Sequence, residues 1–354
     1  MMIKVLGLAL YGPLAASTRY RLGQYVSGLA SMGIDLQIRH LLGDDYLRAR
    51  FRNGPLPLSG IARSGVNRLA ELWHADEYDL AIVYGELFPL MPGWMERALI
   101  RKPYIYDFDD AFYLKYRSGR LGITGPLLAH KFDSVIAGAA AVTAGNQVLN
   151  EYGRRHNSCT HYLPTVVDTE RYIPQPNSRG GQIFTVGWIG SPSTTRHLSE
   201  LVAPLSILGQ DGPVRLIIIG GKAPVIPNVD VIQIAWDERT EVELINSFDI
   251  GVMPLIDDSF TRGKCAFKLI QYMACAIPVI ASPVGANNDV VNNETGFLAS
   301  TIGEWVDALA LLRDQPGKRR EMGEAGRERV WKHYSLQHNL PRLAGVIRET
   351  ARKV

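Results

Sequence analysis

Apolar residues along this chain fall in short unbroken blocks, separated by stretches with helical spacing. That is the pattern of strands buried on both faces and joined by crossover helices. Met2–Leu10 is the first block; Ser17-Thr18 supplies an N-cap for a helix reaching Met32, Gly33 ends it, and Ile34–Ile38 is the next strand. Leu41–Gly65 reads as irregular. Helices near Val66–His74, Met91–Ile100, Leu127–Ala137 and Asn146–Arg155 then alternate with strands at Leu80–Tyr84, Pro103–Tyr106 and Ala140–Thr143, and Tyr162–Val167 closes the half. Pro174–Gly181 has linker composition. The alternation restarts with strands at Phe184–Ile189, Val214–Ile219, Val231–Ile234, Ile250–Leu255 and Pro278–Ala281. Helices in this half are predicted at Arg196–Leu208, Glu241–Ser247, Ile302–Arg313, Gly317–His333 and Ser335–Lys353. The spacing predicts two doubly wound α/β domains with mostly parallel sheets, residues 1–165 and 166–335, and a terminal helix over 336–354. Ligands of such sheets bind beyond the carboxyl ends of the strands, so a cleft between the domains is the expected site.

Length and charge agree with this division. At 354 residues the chain exceeds one ordinary core. The N-terminal apolar block is short and broken at Gly12-Pro13, unlike a signal sequence, and no apolar run reaches the ~20 residues of a membrane helix. Cys159, Cys265 and Cys275 form no CxxC pair, which makes a reducing cytoplasm the expected setting. The net charge of +3 is uneven: six arginines and two aspartates lie between Arg39 and Arg68. With Leu42, Tyr46, Phe51, Leu56, Leu58 and Ile61 interspersed, that segment suits contact with an anionic membrane, and it is too weak a patch for nucleic acid.

The richest stretch runs from Arg262 to Gly285: a basic loop, a helix of about three turns, a buried strand and a second glycine loop. At helical spacing Lys264, Lys268, Gln271 and Cys275 share one face, and lysines at a helix start favour an anion. Gly190-Ser191-Pro192-Ser193-Thr194-Thr195-Arg196 sits where a strand hands over to a helix. Its N–H groups, hydroxyls and Arg196 suit a diphosphate or form an ordinary capping region. Ser17–Arg21 occupies the equivalent place in the first half, where Arg19 and Arg21 could meet an acceptor phosphate or cover the helix surface. Asp107-Phe108-Asp109-Asp110 crowds three carboxylates at a strand end. They must be solvated, paired or shared with a ligand, and a solvated turn or a metal-binding D-x-D are alternatives. No G-x-G-x-x-G or P-loop occurs, and no histidine pair has metal-ligand spacing, so neither a cofactor nor a metal is expected.

With Phe184–Thr195, Asp249–Leu255, Lys264–Gly285, Tyr106–Ala111 and Ala141–Asn146, the sequence resembles the bacterial family-4 glycosyltransferases of GT-B fold. These are retaining enzymes of surface polysaccharide and glycolipid synthesis in the cell envelope. The resemblance implies two Rossmann-like domains facing across a cleft, with the terminal helix crossing back to the first. It places Lys264, Lys268, Gly190, Ser191, Arg196, Val284, Gly285 and Asn287 on a nucleotide-sugar donor's diphosphate and sugar. Gly12 is expected near the transferred sugar and Gln271 on the ribose. Asp109 stands where many relatives carry an active-site His. Gly263 and Gln271 stand where many relatives have two glutamates.

The expected activity is metal-independent sugar transfer, with retention, to a glycan or a polyprenyl- or other lipid-linked acceptor. Lys268 stabilises the leaving group, Asp109 or Asp110 orients or deprotonates the acceptor hydroxyl, and the protein lies in the cytoplasm or on the inner membrane face. A non-catalytic nucleotide- or glycan-binding subunit and a sugar-nucleotide epimerase are the rival readings.

Overall fold

The computed structural model describes residues 2–52, 54–55, 58–117, 125–175 and 183–352. Most of the expected linker, from Pro176 to Gly181, lies outside them, as do Leu56 and Lys353. The chain forms two units. The first comprises Met1–Val166, Gly263–Cys265 and Leu336–Val354; the second comprises Val167–Arg262 and Ala266–Ser335.

The first unit is a six-stranded sheet ordered β2-β1-β3-β4-β5-β6. Its strands are β1 (Ile3–Tyr11), β2 (Ile34–Leu42), β3 (Leu80–Tyr84), β4 (Tyr104–Phe108), β5 (Ala141–Ala144) and β6 (Thr160–Tyr162), each paired in parallel. Parallel pairing forces crossovers, so both sheet faces are covered, and Val5, Leu8, Ile105 and Val142 are buried outright. The terminal helix Leu336–Arg352 seals one face with Leu343, Ala344 and Ile347. Gly28 permits its approach, because a Cβ there would lie 2.5 Å from a Leu340 methyl.

One buried ion pair ties this interior together. Arg21 pairs with Asp107 through both its Nε (2.9 Å) and Nη2, and its Nη1 donates to the Leu163 carbonyl at 2.8 Å. Thr143 donates to the same carboxylate at 2.5 Å. Helix Ala16–Arg21, β4, β5 and the segment after β6 therefore meet on two charges that have no other way to be satisfied.

The second unit repeats the plan in the order β12-β11-β10-β7-β8-β9, again all parallel. Its strands are β7 (Phe184–Ile189), β8 (Val214–Ile219), β9 (Asp230–Ile234), β10 (Ile250–Met253), β11 (Val279–Ala281) and β12 (Gly296–Leu298). Two glycines shape its centre. A Cβ at Gly187 would lie 1.9 Å from the Phe248 ring, and one at Gly251 would lie 2.2 Å from the Tyr272 ring. The two rings meet edge to face with centroids 6.1 Å apart.

Several element boundaries differ from the sequence expectation. The stretch read as irregular holds helix Asp44–Phe51 and the start of helix Leu58–Trp73, which tolerates Gly60 and Gly65 because its inner face is anchored by Arg68 and Leu72. The helix expected from Arg196 opens as a 3-10 segment, Pro192–Leu198, and becomes α-helical over Ser199–Leu208. The helix expected over Ser17–Met32 is broken at Leu22–Tyr25.

Replacing Asp107 with Ala strands the Arg21 guanidinium in the interior, so the variant should lose about 3–5 kcal/mol of unfolding free energy in denaturant titration. An unchanged midpoint would show that the pair holds nothing.

Candidate functional site

In the second unit the chain runs from β7 outward to β8 and β9, then returns to β10 and continues to β11 and β12. The loops after β7 and β10 thus leave neighbouring strands in opposite directions, and this switch point is where a doubly wound sheet opens a ligand crevice. Gly190 follows β7, its N–H donating to the Ile219 carbonyl at 3.0 Å. A Cβ on Gly190 would sit 2.8 Å from Lys268 Cε, so the glycine is what lets the lysine stem pass over the strand end. Lys268 Nζ lies 5.1 Å from the centre of the buried Trp188 ring, a cation–π distance.

The helix carrying Lys268 is fixed from below. It spans Phe267–Ala274, about two turns, and its Tyr272 hydroxyl accepts the Ile189 N–H at 2.9 Å. Ala266 caps it with φ +52°, a left-handed conformation that costs a non-glycine residue about 1–3 kcal/mol. This corrects the expected shared face: Lys264 precedes the helix and groups with the first unit, because the turn at Ala266 breaks the helical phase.

The two loops are also joined to each other. His197, buried, accepts the Ile256 N–H on Nδ1 at 3.2 Å, and exposed Arg196 pairs with Asp258 at 3.0 Å. Thr261 and Asp258 exchange hydrogen bonds that close the loop after β10 into a turn. Ser191 Oγ lies 2.9 Å from Ser193 Oγ. Gly285, at φ +53°, lies under the Arg262 carbonyl, which would meet a Cβ at 2.4 Å. The structure therefore brings Gly190 and Lys268 together and holds Arg196, on the same loop as Gly190, against Asp258 of the loop after β10.

Three expected donor ligands are engaged internally. Gln271 is buried and donates to the Tyr172 hydroxyl at 2.8 Å, which donates in turn to buried Glu241. That corrects its placement on an open helix face. Asn287 is buried and donates to the Ser282 carbonyl at 2.9 Å; Val284 packs in the core. Both support the glycine loop rather than present side chains to it.

In the first unit the crowded carboxylates separate by environment. Asp107 is consumed by Arg21, as described above. Arg21 is thereby corrected from an acceptor ligand to a buried structural cation. Arg19 donates to the Pro13 and Leu14 carbonyls at 2.8 and 2.9 Å, and so stiffens the loop after β1 instead of covering a helix. Gly12 in that loop donates to the Leu42 carbonyl, and its missing side chain leaves room for the Asp44 carboxylate, 2.5 Å from a Cβ there. Asp109 is half-buried and accepts the Tyr84 hydroxyl at 2.5 Å. Burial, then the neighbouring Asp110, push its carboxyl up to about 6, against the opposing pull of Arg21 and Tyr84.

The tripeptide Gly263–Cys265 lies beside Asp109. Asn146 Nδ2 donates to the Gly263 and Lys264 carbonyls at 2.8 and 3.1 Å, and the Cys265 thiol donates to the Asp109 carbonyl at 2.9 Å. Gly145 makes the space, since a Cβ would strike Cys265 Sγ at 2.6 Å. Lys264 Nζ reaches Asp110 at 3.6 Å. Tyr84, Cys265, Asn146, His197 and Asp258 all escaped the sequence reading, because their roles come from partners distant in the chain.

The basic segment is also revised. Arg68 is buried and donates to the Ala9 and Arg39 carbonyls at 2.9 and 3.2 Å, and Leu42 is buried as well. The large apolar residues that face outward in and just after it are Phe51, Val66, Leu69 and Trp73, the last three on one face of helix Leu58–Trp73. Among the described residues no group of three His, Cys, Asp or Glu is placed to hold a metal, and no helix is long and apolar enough to cross a membrane.

Over the whole chain the architecture matches solved structures. Sucrose-phosphate synthase from Thermosynechococcus elongatus superimposes with a TM-score of 0.73 at 15% identity, covering 99% of this chain and 100% of that one. HepE from Anabaena, solved with UDP-glucose, gives 0.68 at 15% identity over 99% and 100%. WaaG, a glycosyltransferase involved in lipopolysaccharide biosynthesis, gives 0.66 at 14% identity over 98% and 99%. The fold is GT-B. Within this GT-B chain, residues 196–345 match the family described as Glycosyl transferase-like, a span that holds Lys268, Asp258 and Gly285. A stretch of 82 residues is 33% identical to D-inositol 3-phosphate glycosyltransferase of Arthrobacter sp. (strain FB24), covering 22% of this chain and 18% of that enzyme's length.

The raised Asp109 carboxyl has a measurable consequence. Between about pH 4 and pH 6 the folded chain keeps a proton on Asp109 that the unfolded chain has lost, so stability falls as pH rises through that window. Thermal unfolding of Asp109→Asn should show a smaller loss from pH 4 to 6 than the natural chain. Equal slopes would place the carboxyl at its ordinary value.

Proposed function

We propose that the protein is a glycosyltransferase that moves a sugar from a nucleoside-diphosphate donor to a glycan or lipid-linked acceptor, with retention and without a metal. The observation that carries this reading is the Gly190–Lys268 approach at the switch point of the second sheet, a lysine held over a bare strand end where a diphosphate can lie. Negative charge grows on the departing diphosphate during transfer, and a positioned ammonium stabilises it. Arg196, held by an exposed aspartate, is free to exchange Asp258 for phosphate. Backbone amides of the loops at Ser191 and Gly285 complete the donor side. HepE, whose fold this chain shares, was solved with UDP-glucose, which supports a nucleotide sugar as donor.

Asp109 fits the acceptor side. A carboxyl raised to about 6 is ionised at neutral pH yet basic enough to orient or take the proton of a hydroxyl, and Tyr84 fixes its rotamer. Gln271 acts through Tyr172 as a support beneath the lysine helix, so the ribose contact falls to the backbone. The same protein is proposed to work on the cytoplasmic membrane face. Val66, Leu69 and Trp73 form an outward apolar stripe beside exposed Arg63, and Phe51 lies exposed beside exposed Arg52. Arg101 lies over the Trp73 ring at 4.4 Å. Apolar side chains among arginines complement an anionic bilayer, where a lipid-linked acceptor resides.

Lys268→Ala should lower turnover about a hundredfold, the scale of losing one oxyanion donor; donor hydrolysis by the purified variant reads it. Near-normal turnover would remove the leaving-group role, and nucleotide binding without any turnover in the natural chain would favour a non-catalytic subunit. In vesicle flotation, binding should require phosphatidylglycerol and should drop in a Val66→Ser/Trp73→Ser double variant. Flotation indifferent to lipid charge would rule out the membrane face.

A further inference from the structure

The first sheet has a switch point of its own, between β1 and β3, and the donor reading leaves it empty of purpose. Tyr11 closes β1 there. Helix Asp44–Phe51 presents Tyr46 and Arg50 one turn apart, and both meet Tyr11. The Tyr11 and Tyr46 rings stack with centroids 6.1 Å apart and planes 18° from parallel, and Arg50 Nη1 lies 3.5 Å from Tyr11 Oη. Phe88, from the loop after β3, packs into the same cluster with Ile61. All three aromatic rings remain partly exposed, so this is an open wall rather than a closed core.

The wall is rigid. Asp44 accepts the Leu14 N–H at 3.0 Å, and Arg19 holds the Pro13 and Leu14 carbonyls, which fixes the loop after Tyr11 on both sides. The charges around it are unequal. Glu86, the carboxylate whose field reaches Tyr11, is buried and committed to Lys131 at 3.1 Å and to the Tyr116 hydroxyl at 2.5 Å. Arg48, on the same helix, pairs with Asp45. Among the described residues no carboxylate lies within ion-pairing distance of Arg50. An arginine without a carboxylate, set against a tyrosine stack, combines a flat apolar surface with a forked donor for an anion.

We propose that this crevice is the acceptor site, and that the acceptor is a pyranoside bearing an anionic group. The sugar's C–H face rests on the Tyr11–Tyr46 wall and Arg50 takes the anion. The inference rests on the glycosyl-transfer reading, and it replaces Arg19 and Arg21 as the acceptor's cationic contact. A sugar phosphate and a uronic acid offer the same chemistry, and the test separates them.

Saturation-transfer NMR on the full chain, with excess uridine and guanosine diphosphates filling the donor crevice, would use α-D-glucose 1-phosphate, methyl β-D-glucuronide and neutral methyl β-D-glucoside as probes. At least one charged sugar should bind, and the neutral glucoside should bind about tenfold or more weakly. Arg50→Gln, a change at an exposed position, should weaken the charged probe by about tenfold or more, the loss of one charged hydrogen bond. Tyr46→Leu should weaken all three. The tighter of the two charged probes identifies the anion's source. The proposal is overturned if neither charged sugar binds, if the neutral one binds equally well, or if Arg50→Gln changes nothing. Nucleoside diphosphate affinity of Lys268→Ala, measured separately, tells failure of the donor reading from failure of this one.

Discussion

Parallel pairing is the constraint on which the rest of the molecule depends. In both sheets every described pairing is parallel, so all loops able to hold a ligand leave the same edge, and each crevice lies where the chain reverses direction across the sheet. In the second unit that requirement reaches down to single residues. Gly187 and Gly251 lack side chains, Phe248 and Tyr272 settle on them, and the Tyr272 hydroxyl takes the Ile189 N–H at the end of β7. The helix is thereby fixed, and Lys268 on its first turn is delivered to Gly190. The proposed donor contact is a consequence of core packing beneath it.

Burial sorts the charged groups by task. Asp107, Asp109 and Asp110 are near neighbours in sequence, yet one neutralises Arg21 inside the sheet, one is raised to about 6 at the strand end, and one pairs with Lys264. Desolvation explains the order: the deepest carboxylate must have a full partner, while the half-buried one keeps its proton more tightly instead. The same logic takes Arg21 and Arg68 out of the inventory of surface cations and leaves Arg50 and Arg196 available to anions.

Much of the architecture was legible in the sequence because strands buried on both faces leave long apolar blocks. Leu80–Tyr84, Phe184–Ile189 and Val214–Ile219 were read to the residue. Where glycine and proline punctuate a helix, as around Gly60 and Gly65, local propensity misled and tertiary anchoring by Arg68 prevailed. For the candidate site, the placement of Gly190, Lys268 and Gly285 at junctions between strand and helix was legible. Its side-chain roles were not: helical spacing put Lys264 with Lys268, but the left-handed Ala266 interrupts the phase, and nothing local announces that. Gln271 looked exposed because its partner, Tyr172, lies far away in sequence. Periodicity reports which face a residue takes, and the partner waiting there is set by long-range contacts.

The central claim is that the Gly190–Lys268 crevice holds a nucleoside diphosphate. A crystal structure of the chain with a nucleoside-diphosphate sugar tests it most directly. The account predicts phosphate oxygens within about 3 Å of Lys268 Nζ, the range of a charge-assisted hydrogen bond, and Arg196 turned from Asp258 toward the ligand. A diphosphate bound elsewhere, with the Arg196–Asp258 pair and Lys268 undisturbed, would contradict it.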